Sequence, residues 1–164
     1  MKPHIQPVPL FWVKKIAMIK KEDLQKVIPH SGKMLLLSKI IDYNMEERRL
    51  TAEYHITEDC LFFDSVSGGV PAWAAFECIA QAFAALSGIS GSKTGEKPKI
   101  GFILSVSKMQ IFLPIIKPGS TIVINVKELD NMDSVYNFDG NIFLEGSLVL
   151  EGKFTVKASN GEII

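Results

Sequence analysis

From Ala72 to Leu86 the chain reads AWAAFECIAQAFAAL, and between Ser65 and Ser92 its only charged side chain is Glu77. Drawn as a helix, this stretch is alanine-rich and apolar nearly all the way round, and such a helix belongs in an interior. Pro71 suits the first turn and Gly88 suits a C-terminal stop. At 1.5 Å per residue the helix is roughly 24 Å long, close to the diameter of a small domain. The remainder of the chain therefore has to cover it on all sides.

The segments available for that task are mostly extended. Residues 20–28 predict a short amphipathic helix with Leu24, Val27 and Ile28 on one side, ended by Pro29. Pro29-His30-Ser31-Gly32 is a turn by composition, and MLLLSKIIDY after it suits a buried strand. From Arg49 to Thr57 the apolar residues alternate (Leu50, Ala52, Tyr54, Ile56), as in a half-buried strand. Residues 58–70, with Asp64, Ser65 and Gly68-Gly69, read as a loop with a specific path. Beyond a polar connection at 90–99, four extended segments follow: IGFILSVSKMQIFLP, TIVINVKEL, VYNFDGNIFL and SLVLEGKFTV. Pro118-Gly119, Asn131-Met132-Asp133 and Glu145-Gly146 separate them. The order is helix, two strands, one long buried helix, four strands. It predicts an α+β domain whose antiparallel sheet curls around the long helix.

Composition narrows the function classes. Lysine plus arginine equals aspartate plus glutamate at 18 each, so there is no basic field of the kind nucleic acid or an anionic membrane requires. Cys60 and Cys78 are too few for a disulfide framework and lie in no metal-ligand spacing. They predict reduced thiols, a cytoplasmic setting and no metal. The N-terminal sequence has no secretory pattern, and no stretch is expected to span a bilayer. The expected organisation is an extended proline-containing leader over 1–19, one domain over 20–158 and a tail over 159–164.

The chemical signal is Glu77. A helical pitch places Trp73, Glu77 and Gln81 one turn apart on a single face. A carboxyl on a buried face is costly to ionise without a partner, so burial favours its protonated form and suits it to proton transfer near neutrality. A structural hydrogen bond, or simple emergence into water, accounts for the residue equally well. The Gly-Gly-Val-Pro lead-in favours function, since it predicts free amides at a helix start that would polarise a thioester carbonyl.

Two stretches carry a family likeness. IPHSGKMLLLSKI (Ile28–Ile40) and VPAWAAFECIAQAFAALSG (Val70–Gly88) resemble the opening and the central helix of the hotdog-fold 3-hydroxyacyl-[acyl-carrier-protein] dehydratases, and of the aryl-polyene type in particular. Phe112-Leu113-Pro114 with Pro118-Gly119 adds a weaker echo. The resemblance implies a hotdog fold over roughly residues 20–158, in a homodimer or a hotdog heterodimer with its site at the subunit interface. It implies no cofactor of the protein's own, the acyl group being carried on the phosphopantetheine of acyl carrier protein or coenzyme A. Glu77 matches the helix acid and Gln81 the glutamine one turn later. Pro71 and Ala72 match the helix start facing the thioester, while Phe62, Phe63 and Trp73 are expected along the acyl channel.

One motif departs from the family. The widespread dehydratases carry a catalytic histidine in a His-Phe-Pro motif before the helix, and here that neighbourhood reads Phe62-Phe63-Asp64-Ser65-Val66. His30 is the first substitute, since imidazole titrates near neutrality, although the family also has a histidine at this second position. Asp64 is the next, with a loop cap as its alternative reading. His55 and His4 are expected bystanders, and Ser38 stands where the family has aspartate. Lys93, Lys97 and Lys99 are possible carrier contacts or a solvated loop. The expected activity is dehydration of a 3-hydroxyacyl thioester to the trans-2-enoyl thioester. The alternatives are a non-catalytic hotdog partner subunit and an acyl thioesterase, because a helix carboxylate can also activate water.

Overall fold

In the computed structural model, which describes residues 18–159, the strands come in the order β1 (Ile19–Lys20), β2 (Lys39–Asn44), β3 (Arg49–His55), β4 (Val70–Pro71), β5 (Ile100–Ile111), β6 (Ile115–Ile116), β7 (Thr121–Met132), β8 (Val135–Leu144) and β9 (Ser147–Ser159). The helix α1 (Phe76–Ser92) lies between β4 and β5. Seven strands form one antiparallel sheet in the order β1-β2-β3-β7-β8-β9-β5, and β4 pairs with β6 apart from it. This is the α+β hotdog arrangement expected from the sequence.

The sheet curls because its inner face has a helix to cover. Leu50, Ala52 and Tyr54 of β3, with Ile122, Ile124 and Val126 of β7, alternate inward and are buried. Phe138 of β8 and Phe154 of β9 stack at 5.3 Å between ring centroids. Phe83 of α1 stacks on Phe138 at 4.0 Å between ring centroids, the two rings nearly parallel. Each such fully buried side chain contributes about 1.5–3 kcal/mol by removal from water. Gly140 of β8 is required where the helix comes closest, since a Cβ there would meet Ile79 Cγ2 at 2.1 Å. The β8–β9 turn has positive φ at both Glu145 and Gly146, which is the type I′ geometry that matches strand twist.

Several expectations are corrected. The expected helix over 20–28 is a 3-10 helix over Lys21–Lys26 that ends before Val27 and Ile28, although Leu24, Val27 and Ile28 are all buried as expected. MLLLSKIIDY is not one strand. Leu35, Leu36 and Leu37 are buried before β2 begins, and side chains take much of their backbone bonding: Lys21 Nζ donates to the carbonyls of Leu35 (2.7 Å) and Leu37 (2.9 Å). The long helix opens with a 3-10 turn over Ala72–Ala75 and does not stop at Gly88 but runs to Ser92. Gly88 is there for packing, since a Cβ would stand 1.8 Å from the Val27 carbonyl oxygen.

The expected absence of a stretch able to span a bilayer is also corrected. Residues Ala72–Ser92 have the length and hydropathy for a crossing, yet most of that helix is buried by the sheet that wraps it. The small β4–β6 pair was not foreseen, and β1 starts at Ile19 while β9 ends on Ser159, one residue outside the expected domain at each end. The expected leader with His4, apart from its last two residues, and the tail after Ser159 lie outside the described residues.

Candidate active site

Glu77 sits in the first turn of α1, where the helix dipole favours negative charge. Its side chain is half-buried, and so is that of His30, whose Nε2 lies 3.5 Å from Glu77 Oε1. His30 is brought there by the buried anchor of Leu24, Val27 and Ile28 just before it. The same ring has a buried Nδ1 with no hydrogen-bond partner.

Gln81, one turn along α1 and fully buried, fastens Glu77 to the backbone of Met34 and Leu36. Its Nε2 donates to Glu77 Oε1 (3.2 Å) and to the Met34 carbonyl (2.6 Å), and its Oε1 accepts from the Leu36 amide (3.0 Å). One amide side chain therefore aims the carboxyl and stitches the 34–36 backbone to the helix. Partnering of this kind is what allows an uncharged polar group to be buried at little cost.

From His30 and Glu77 a cleft runs along the α1 face of Ala80, Ala84 and Ser87, walled by Ile103 and Tyr136 from the sheet. These lining residues were missed by the sequence reading. A signal existed, because Glu77, Ala80, Ala84 and Ser87 follow one another at helical spacing as small neighbours of the one acid. Lys99 stands in an exposed connection, as the solvated-loop reading has it, at the rim of the cleft, and its Nζ pairs with Glu96 Oε2 at 2.9 Å.

The other expected site residues fall elsewhere. The Asp64 carboxylate is committed to its own loop, accepting from the amides of Val66 (3.1 Å) and Ser67 (3.0 Å). Hydrogen bonding from the Ser67 side chain, then from those two amides, holds its carboxyl below the usual range. Asp64 is a loop cap, and His30 rather than Asp64 is the base candidate beside Glu77. The expected free amides at the helix start are occupied as well. Gly68 and Gly69 donate to the Asp64 carbonyl, and the Ala72 amide donates to the Pro114 carbonyl at 2.8 Å. Pro71 belongs to β4, and Phe62 and Phe63 pack partly buried against the core. Trp73, on the 3-10 turn and out of phase with α1, is 59% exposed. None of Phe62, Phe63, Pro71, Ala72 and Trp73 lines the cleft within this chain. His55 is at the surface on Thr121, and Ser38 accepts the His55 amide at 2.9 Å, a contact between neighbouring strands.

Among the described residues no group of three or more His, Cys, Asp or Glu could hold a metal ion. Cys60 and Cys78 are both free, and burial, then the nearby Glu77, pushes the Cys78 thiol far up. What the cleft offers chemically is an imidazole and a carboxyl that can share one proton, opening onto an apolar wall.

Comparison with known proteins adds an independent line. The family model for ApeP-like proteins, described as ApeP dehydratase, matches residues 22–162. The chain is 29% identical over 109 residues to the 3-hydroxyacyl-[acyl-carrier-protein] dehydratase FabZ of Chlamydia trachomatis serovar L2, covering 65% of this chain and 70% of that one. It is 26% identical over 136 residues to FabZ of Francisella tularensis subsp. novicida, covering 73% and 83%. Among solved structures, the dehydratase heterocomplex ApeI:P from Xenorhabdus doucetiae aligns with a TM-score of 0.77 at 22% identity, over 84% of this chain and 91% of that one.

Proposed function

This chain belongs to the ApeP-like dehydratase family, and from that premise we propose that it removes water from a 3-hydroxyacyl thioester at the His30–Glu77 pair. The observation that carries the reading is the 3.5 Å approach of His30 Nε2 to Glu77 Oε1 at the mouth of an apolar cleft. His30 takes the C2 proton. The electron pair left behind forms the C2–C3 double bond, the C3–O bond breaks, and Glu77 gives its proton to the departing hydroxyl. The products are water and a trans-2-enoyl thioester. Because the two groups adjoin, the proton on His30 returns to Glu77 and the pair resets without a third residue. The substrate is carried on phosphopantetheine, with the acyl carrier protein favoured over coenzyme A by the likeness to the FabZ 3-hydroxyacyl-[acyl-carrier-protein] dehydratases. A cytoplasmic setting is in keeping with the two free thiols.

The chain works as a dimer, with a second copy or a related hotdog subunit. Strand β5 is exposed along its whole length, and Ile100, Phe102, Leu104, Val106, Met109 and Ile111 stand on a sheet edge that is unpaired among the described residues. An edge so long and apolar needs a partner strand. A partner there would cover the open side of the cleft, and the exposed Trp73 and the aromatic Phe62 and Phe63 would then serve the acyl channel across the interface.

The test is purified protein with a 3-hydroxyacyl-carrier substrate, read by mass spectrometry for the loss of water. Glu77→Gln and His30→Ala are each expected to lower turnover by about 10²–10⁴-fold, while Asp64→Asn leaves it within a small factor. Retained turnover in Glu77→Gln would remove that carboxyl from the chemistry. A second reading is favoured by the absent His-Phe-Pro histidine, namely a subunit active only with a partner, and the similar Xenorhabdus structure is itself a dehydratase heterocomplex. Activity confined to the mixture would establish it. Release of free acid and thiol instead of enoyl thioester would mean a thioesterase.

A further inference from the structure

Strand β1 pairs with β2 only at Ile19↔Ile40 and Lys20↔Lys39, and the main chain then leaves the sheet for the 3-10 helix Lys21–Lys26. Residues 34–37, which run into β2, therefore lack a neighbouring strand on that side. Their hydrogen bonds divide by parity, as along any extended segment. Ser38 donates its amide to the Glu53 carbonyl of β3 (2.7 Å), and Met34 and Leu36, of the same parity, are met by Gln81. Leu35 and Leu37 turn their carbonyls the opposite way, toward the path β1 would have followed. Both accept there from Lys21 Nζ, at 2.7 and 2.9 Å. One ammonium, with three donors to give, thus takes the place of further strand, and the backbone after Lys20 is free to cross to α1. The stem of Lys21 stays at the surface. Desolvation lowers the pKa of its ammonium from the ordinary lysine value, with Cys60 and Cys78 opposing that shift.

That crossing is what brings His30 to Glu77. Residues 21–37 form a loop closed by Lys21 at its root, with His30 near the middle. Gln81 carries the same constraint to the acid, because the amide that holds Met34 and Leu36 also donates to Glu77 Oε1 at 3.2 Å. Lys21 itself does not line the cleft.

We propose that Lys21 is a positioning residue for the dehydration, its ammonium standing in for missing strand so that His30 and Glu77 are held within proton-transfer reach. This rests on the reading of the His30–Glu77 pair as the dehydratase site. Without that donor the carbonyls of Leu35 and Leu37 would have to turn toward other partners, and the backbone held by Gln81 would shift with them. A misplacement on the order of 1 Å at the reacting groups costs about 10²-fold in rate. The cleft wall, built on α1 and the sheet, would keep its shape.

The experiment is steady-state dehydration by the assembled protein and its Lys21→Met and Lys21→Arg variants, beside a thermal melt of each. Lys21→Met keeps the stem and removes the donors, and Lys21→Arg keeps a charged set of donors. At a temperature where the melt shows it folded, Lys21→Met is expected to lower kcat by roughly ten- to a hundredfold with KM little changed. Lys21→Arg is expected to recover most of that loss. Unchanged kcat in Lys21→Met, a fall in Lys21→Arg just as deep, or a loss carried by KM would overturn the proposal. Should Lys21→Met not fold, Lys21→Gln, which keeps an amide donor, is read by the same criteria against a smaller fall. If the wild type removes no water, the dehydratase reading has failed, and positioning is then read by NMR. Faster amide exchange at Leu36 and displaced His30 ring signals in Lys21→Met, both restored in Lys21→Arg, support the proposal, and unchanged values overturn it.

Discussion

Single residues carry the chemistry here through partners that the fold supplies. Gln81 is the clearest case, because its buried amide satisfies the Leu36 amide and the Met34 carbonyl while touching Glu77. Gln81→Leu would fill the space and leave those backbone groups unpaired, so urea denaturation should show a loss of about 2–4 kcal/mol. Asp64 gives a pH prediction. Its folded carboxyl lies below its unfolded value, so its capping contribution is fully present above the unfolded pKa and is lost as pH falls through the folded one. Asp64→Asn should therefore flatten the acid limb of stability against pH, and an unchanged limb would remove Asp64 from it. The thiols differ in the same physical way. Cys78 is buried and Cys60 only partly so, and an aromatic disulfide reagent should modify no more than one equivalent until the protein is unfolded.

At the scale of the element, α1 is long because it is the core and runs unbroken from Phe76 to Ser92. Gly88 looks like a stop signal in sequence, yet it lies mid-helix against the Val27 carbonyl. Alanine there gains about 1 kcal/mol of helix propensity. The new Cβ would press on backbone with no rotamer to yield, so a net destabilisation of about 1–3 kcal/mol is expected. A melt in which Gly88→Ala matched or exceeded the wild type would show that the 21–28 segment can move away. The Leu35–Leu37 run teaches a related lesson. Its apolarity reports burial, but Lys21 and Gln81 take its backbone bonds, and no period in the run itself could distinguish that from a strand.

For the whole molecule, the unpaired β5 edge decides how the domain lives. A lysine at Leu104 or Val106 would put a charge where the proposed partner strand would lie. Either substitution should turn a dimer into a monomer in sedimentation, and dehydration should fall with it if the partner closes the cleft. A dimer that survives both changes would place the interface elsewhere.

Local pattern alone was enough for the architecture. A helix apolar on every side must be enclosed, alternating segments must offer it one face, and a single acid in that helix must be either partnered or put to use. Those conclusions follow from periodicity and solvation, which are written along the chain. Which groups meet across it was not legible. The pairing of His30 with Glu77 and the capture of the Ala72 amide by Pro114 both join residues far apart in sequence. Only the closing of the sheet around the helix brings them within bonding distance, because hydrogen bonds and proton transfer depend on ångström separations that no local pattern encodes.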